Sequence, residues 1–146
     1  MISNLTTYHN GDMDPGLLSP LNLAFVGDTV FDLMVKERLI SRGNRPVGKL
    51  HRECAEIVCA AGQARAAKII ESLIDEKETE IFKRGRNAKV GHKPKNANEA
   101  DYHAATGFEA LIGWLYLSGN FERLKELIEL ILSEFENEKE KNNGRR

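Results

Sequence analysis

With 146 residues and a formal net charge of −1, from 21 Lys plus Arg against 22 Asp plus Glu, the chain has the length of one domain and no polyelectrolyte character as a whole. Hydrophobic residues at 41% suffice for one core and argue against a disordered tail protein, while Cys54 and Cys59 make neither a disulfide framework nor a CxxC zinc site. No apolar run approaches the roughly 20 residues of a membrane span, and MISNLTTYHNGDMD lacks the order of a secretory signal, so a reducing cytoplasm and no membrane partner are expected.

Residues 1–14 are polar, carry the turn pair Asn10-Gly11, and read as a flexible lead-in. Ser19-Pro20 then combines a serine N-cap with proline at the first helical position, a strong helix start. The helix it opens has apolar residues at Leu21, Phe25, Phe31, Val35 and Leu39, near helical spacing. It should end around Arg42-Gly43-Asn44, where Gly43 can adopt a left-handed cap. After Pro46, the Ala-, Ile- and Leu-rich stretch from Lys49 to about Ile74 predicts one kinked helix or two short ones broken near Gly62. Asp75 to Lys83 predicts a short helix with Ile81 and Phe82 on its apolar face, and Gly85 to Ala97 reads as an ordered basic loop. A helix from about Asn98 to Leu117 stops at Ser118-Gly119-Asn120. A last one runs from about Phe121 to Glu136 on Leu124, Leu127, Ile128, Ile131, Leu132 and Phe135. No alternating strand pattern competes, so the fold class is all-α: one helical domain over residues 15–136 and a polar tail at 137–146.

Asp28 is the informative residue of the first helix. Steps of three and four give Leu21, Ala24, Asp28, Phe31 or Asp32, and Val35, which puts the acid on or beside the apolar stripe. Burying a lone carboxylate is unfavourable unless it is paired or binds a metal. Gly27 beside it costs about 1 kcal/mol relative to alanine in a helix, which close approach of another element would justify. The arrangement recurs at Glu109, with Ala105 and Gly113 one turn before and after it. Two helices with small residues around one inward acid each could cross closely and bring Asp28 and Glu109 together, and a divalent cation would relieve their repulsion. Hard oxygen ligands with open water positions suit Mg²⁺, with Mn²⁺ able to substitute, and phosphate-ester chemistry. Spacing alone leaves the ordinary alternative open: a solvated acid or half of an ion pair.

The second feature is electrostatic. Lys83, Arg84, Arg86, Lys89, Lys93 and Lys95 crowd one stretch beside His92, and no acid falls between Glu80 and Glu99. Such a cluster in a nearly neutral chain marks a polyanion partner, with arginines suited to bidentate phosphate contacts. A solvated loop that offsets Asp75, Glu76, Glu78 and Glu80 is the plainer alternative.

Together these residues resemble a known family. Leu23-Ala24-Phe25-Val26-Gly27-Asp28-Thr29-Val30-Phe31-Asp32 resembles the signature segment of ribonuclease III endonuclease domains, and Phe108-Glu109-Ala110-Leu111-Ile112-Gly113-Trp114 resembles their second acidic segment. Lys83-Arg84-Gly85-Arg86-Asn87-Ala88-Lys89, followed by Pro94-Lys95-Asn96, is similar to the loop of the mini-ribonuclease III branch, which has no appended double-stranded-RNA-binding domain. The resemblance spans roughly residues 15 to 132. It implies an all-helical endonuclease domain, a homodimer with RNA along a valley across the interface, and Mg²⁺-dependent hydrolysis of double-stranded RNA to 5′-phosphate and 3′-hydroxyl ends. In the mini branch it implies the 23S ribosomal RNA precursor as substrate. Asp28 would be the catalytic, metal-binding aspartate and Glu109 its partner ligand; Arg84, Arg86, Lys89 and Lys95 would hold the RNA.

Two positions depart from the larger ribonuclease III pattern. Ala24 and Thr106 stand where that family usually has a glutamate and an aspartate, as they do in the mini branch. Fewer carboxylates imply more water ligands or weaker metal binding. The small footprint implies weak, salt-sensitive RNA binding and dependence on the substrate's structure or a ribosomal-protein helper. The same losses motivate a rival, a catalytically silent RNA-binding module; a helical adaptor with an acidic partner leaves both acids unexplained. His51 and His103 lack metal-ligand spacing, and His51 reads as a surface or interface residue. Cys54 and Cys59 read as small core residues, and Trp114 and Tyr116 as core or dimer contacts.

Overall fold

A computed structural model of the chain describes residues 13–89 and 98–144. A 3₁₀ turn, Pro15–Leu17, leads into six helices: α1 (Pro20–Ser41), α2 (Val47–Val58), α3 (Ala60–Ile70), α4 (Glu76–Arg86), α5 (Glu99–Leu117) and α6 (Phe121–Gly144). No strand occurs among the described residues, as the all-α expectation requires. The helix starts follow local chemistry. Ser19 accepts from the Asn22 amide at 3.2 Å, ahead of Pro20. Asp75 and Glu78 form a reciprocal capping box, and Asn98 caps α5. Gly43 ends α1 with φ of 127°, a region that favours glycine.

Helix α5 is the hub. It packs against α1, α3 and α4 and is buried on most sides, which is why its sequence is apolar almost all round. Phe31 and Phe108 meet edge to face at 4.9 Å, amid Val35, Ile70, Leu111, Ile112, Leu115, Leu124 and Ile131. The crossing with α1 is set by glycine on both sides. A Cβ at Gly27 would run into the backbone carbonyl of Glu109, and one at Gly113 into that of Leu23.

Five local expectations change. Leu21 and Phe25 leave the core and are 38% and 81% exposed; the buried stripe of α1 is Leu23, Ala24, Gly27, Val30, Phe31 and Val35. The break expected near Gly62 falls at Cys59, whose extended backbone ends α2 and whose sulfur accepts from the Gly62 amide at 3.4 Å to cap α3. Cys59 is therefore exposed, while Cys54 is buried. Gly85 and Arg86 belong to α4, because Gly85 seats that helix on Gly107 of α5. Helix α6 runs past Glu136 to Gly144: its Glu and Lys residues favour helix, and Lys139 and Glu138 pair with Glu53 and Arg65 of the body.

Candidate active site and nucleic-acid interface

The α1–α5 crossing brings the two predicted acids together. Gly27 lies against the Glu109 backbone, so Asp28, its neighbour, and the Glu109 side chain converge at the same turn of the crossing. Their carboxyls share a hydrogen bond. Asp28 is exposed and Glu109 half-buried, so only one of the two acids is inward in the sense expected. Burial pushes the Glu109 carboxyl up, and the hydrogen bond to Asp28 and the repulsion from it push further, to about 8. A hydrogen bond from Gln63 acts in the opposite direction.

Gln63 is the residue that sequence reasoning missed. It is 3% exposed on α3, which packs along α5, and its amide is the polar group that faces Glu109 from that side. The available signal was a lone glutamine in the alanine-rich run Ala60-Ala61-Gly62-Gln63-Ala64, where a polar side chain on a core-facing helix needs a partner. Ala24 and Thr106 are both buried, and the Thr106 hydroxyl donates to the Tyr102 carbonyl at 3.0 Å. Among the described residues no three His, Cys, Asp or Glu side chains gather as a metal-binding group. A divalent cation is nonetheless compatible with this pair. Two adjacent hard-oxygen donors, one with a strongly raised proton affinity, are a charge-deficient arrangement that such a cation relieves, with water completing its shell.

The predicted basic residues separate into two kinds. Arg86 and Lys89 are exposed, and so is Lys83. Arg84 is half-buried: Nη1 donates to the Gly16 carbonyl at 3.0 Å and Nη2 to that of Leu18 at 3.1 Å. The contact of Gly85 with Gly107 sets the basic end of α4 against the turn of α5 just before Glu109. Lys95, with His92, Lys93 and Pro94, lies outside the described residues. His51 is exposed on α2, and the nearest acid to His103 Nε2 is Glu99, at 3.9 Å. Trp114 packs against both core clusters, as an apolar-helix position predicts. A cavity of about 520 Å³ lies elsewhere, among Arg38, Arg45, Glu53, Phe135 and Glu136, away from both acids.

Three comparisons bear on this arrangement. The ribonuclease III domain profile matches residues 21–120. The chain is 48% identical over 113 residues to a mini-ribonuclease 3 of Thermoanaerobacter sp., covering 77% of this chain and 80% of that protein. It is 40% identical over 126 residues to one of Streptococcus pneumoniae, covering 85% and 98%. An X-ray structure of a Fusobacterium nucleatum protein superposes with a TM-score of 0.72 at 30% identity, over 80% of this chain and 93% of that one. Both acids and the described basic segment fall inside the matched span, and the chain belongs to the ribonuclease III domain family, among the mini-ribonuclease 3 endoribonucleases.

Proposed function

We propose that the chain is a Mg²⁺-dependent endoribonuclease that cleaves double-stranded regions of structured RNA and matures the ends of the 23S ribosomal RNA precursor in the cytoplasm. The observation that carries this reading is the pairing of Asp28 and Glu109 at a helix crossing, beside a cation-rich helix end. Asp28 and Glu109 would hold the cation, whose positive charge would neutralise the scissile phosphate and lower the pKa of an attacking water. Glycines at the crossing fix the spacing of the two carboxylates, and Gln63 restrains Glu109 from behind. Arg86, Lys89 and Lys95, with Arg84 beneath them, hold the phosphates of a duplex recognised by shape.

The enzyme acts as a homodimer. Leu17 and Phe25 are 83% and 81% exposed, and Leu21 stands one turn before Phe25 on the face of α1 that also carries Asp28. A second copy would cover this apolar face and align two active centres along one RNA valley. The silent RNA-binding alternative rests on Ala24 and Thr106, which are buried and offer no ligand. Cleavage of 23S precursor ends and of generic duplex RNA, with and without Mg²⁺, separates the two readings. Wild type should cut only with Mg²⁺ and Asp28→Asn should bind without cutting. A folded wild type that binds RNA and never cuts would establish the silent module.

A further inference from the structure

Helix α3 lies along α5 on a buried stripe of Gln63, Ala66, Ala67 and Ile70, the i, i+3, i+4, i+7 face of a helix. Gln63 is the polar member, and at 3% exposure it is as withdrawn from water as the others. Burying a primary amide is unfavourable unless its hydrogen bonds are made, so packing alone would favour an apolar side chain here. The local backbone holds this position firmly. Helix α2 stops at the extended backbone of Cys59, and a Cβ on Gly62 would run into the Ile57 carbonyl. Cys59 then caps the first turn of α3 twice: its sulfur accepts from the Gly62 amide at 3.4 Å and its carbonyl from the Gln63 amide at 2.9 Å.

Gln63 meets the site where carboxylates are scarce. Ala24 and Thr106 are buried and bring none, and the Thr106 hydroxyl is committed to the Tyr102 carbonyl. Side-chain hydrogen bonds reach Glu109 from Asp28 of α1 and from Gln63 of α3. Asp28 is itself a candidate ligand, so it is no fixed support once a cation draws on its oxygens. A neutral amide can hold Glu109 without adding a negative charge, as a glutamate would, and without competing with the cation, as a lysine would. We propose that Gln63 is a positioning residue for the cation: its buried amide holds one oxygen of Glu109 and leaves the other turned toward Asp28, so that two carboxylates suffice for binding. This rests on the two-acid reading of the function above. Metal affinity is then set in part by α3, a helix that brings no ligand of its own.

Calorimetric titration of the RNA-free protein with Mn²⁺, beside thermal melts of the metal-free protein, tests the assignment. Gln63→Met keeps an unbranched side chain of similar size and removes the amide. Its Mn²⁺ affinity should fall about tenfold or more, the scale for losing a group that orients a metal ligand. Its metal-free melting temperature and metal-free binding of duplex RNA should stay near those of wild type. The Mg²⁺ concentration that gives half-maximal cleavage should rise by a similar factor, with KM for RNA at saturating Mg²⁺ unchanged. Ile70→Val, on the same buried stripe, is the packing control; it should lower the melting temperature and leave Mn²⁺ affinity at the wild-type value. Gln63→Leu carries the same expectation as Gln63→Met and serves should the methionine variant fail to fold. Wild-type Mn²⁺ affinity in the Gln63 variants overturns the proposal. So does an equal loss of affinity in Ile70→Val, which would make Gln63 one packing residue among others. A folded wild type that binds no Mn²⁺ overturns the two-acid metal reading, and this inference with it.

Discussion

Glu78 and Glu109 are both withdrawn from water, and their carboxyls are pushed in opposite directions. Glu78, 2% exposed, receives Arg123 on both oxygens at 2.8 Å and the Asp75 amide at 2.9 Å. The bonds from Arg123 hold it below the usual carboxylate range against the pull of burial. Glu109 has a second carboxylate, Asp28, where Glu78 has a guanidinium, and burial with that neighbour raises it to about 8. The first arrangement carries its counter-charge within the chain and joins α4 to α6 and, through the Leu73 carbonyl, to the end of α3. The second has no counter-charge of its own beside it. One acid holds the fold together; the other, in the function proposed above, is held by the fold for a cation.

Exchanging each glutamate for glutamine should break this contrast most severely. Glu109→Gln keeps the shape and removes the charge. Duplex-RNA cleavage in Mg²⁺ should fall by about a thousandfold or more, because a metal-held charge supplies several kcal/mol at the transition state. Its metal-free melting temperature at neutral pH should rise, because glutamine is spared the charge that burial and Asp28 disfavour in the folded state. Glu78→Gln should do the reverse, losing about 3 kcal/mol in a urea melt as Arg123 keeps a charge with no partner, with cleavage per folded molecule retained. A Glu109→Gln enzyme that cuts at the wild-type rate would remove Glu109 from the site.

Gly27→Ala should sharpen the comparison from the backbone. Its Cβ would collide with the Glu109 carbonyl and lie 2.8 Å from the Gly113 nitrogen, and neither is the flexible end of a side chain. Helices α1 and α5 must separate, at a cost of about 2–3 kcal/mol for a forced core enlargement. The two acids should separate with them, so Mn²⁺ affinity measured by calorimetry falls along with stability. Gly85→Ala meets the Ala110 Cβ and Gly107 Cα at 2.8 Å and should destabilise without changing metal affinity. Equal Mn²⁺ affinity in Gly27→Ala and wild type would mean that the crossing does not set the carboxylate spacing.

Much of this was legible because it is local. The Ser19-Pro20 start, the short helix opening at Asp75 and the stop after Leu117 each depend on a few adjacent residues, and the structure keeps all three. The partnership of Asp28 with Glu109 was legible for a different reason: glycine inside a helix is unfavourable by itself, so Gly27 and Gly113 announced a close crossing. Residues whose role depends on a distant partner were not legible. Arg84 reads like any cation of its run, and only the folded chain shows it on carbonyls 68 and 66 residues away. Gln63 needed the α3–α5 packing, and Phe25 fits a helical stripe by spacing yet faces outward. Helix α6 outran its apolar pattern because charged residues propagate a helix as well as apolar ones do once it is nucleated.

A change of pH, with no substitution at all, also separates the two glutamates. In the metal-free protein Glu109 holds its proton to about 8, against 4.5 for an ordinary glutamate. Between those values the folded state carries a proton that the unfolded state has released, so stability falls as pH rises through the window and levels off above about 8. The size of the fall is on the order of a few kcal/mol. Glu78 has the opposite sign: its folded value is lowered, so its contribution is complete above 4.5 and is lost as pH falls through the folded value. The two windows adjoin without overlapping, and a melting-temperature series across pH resolves them. Glu109→Gln should flatten the neutral limb and leave the acid limb; Glu78→Gln should flatten the acid limb and leave the neutral one. Saturating Mg²⁺ should flatten the neutral limb of the wild type as the variant does, because a cation on the carboxylates displaces the proton. A metal-free wild type whose stability is level from about pH 5 to about pH 8 would show that Glu109 is ionised throughout, and the electrical contrast with Glu78 would be lost.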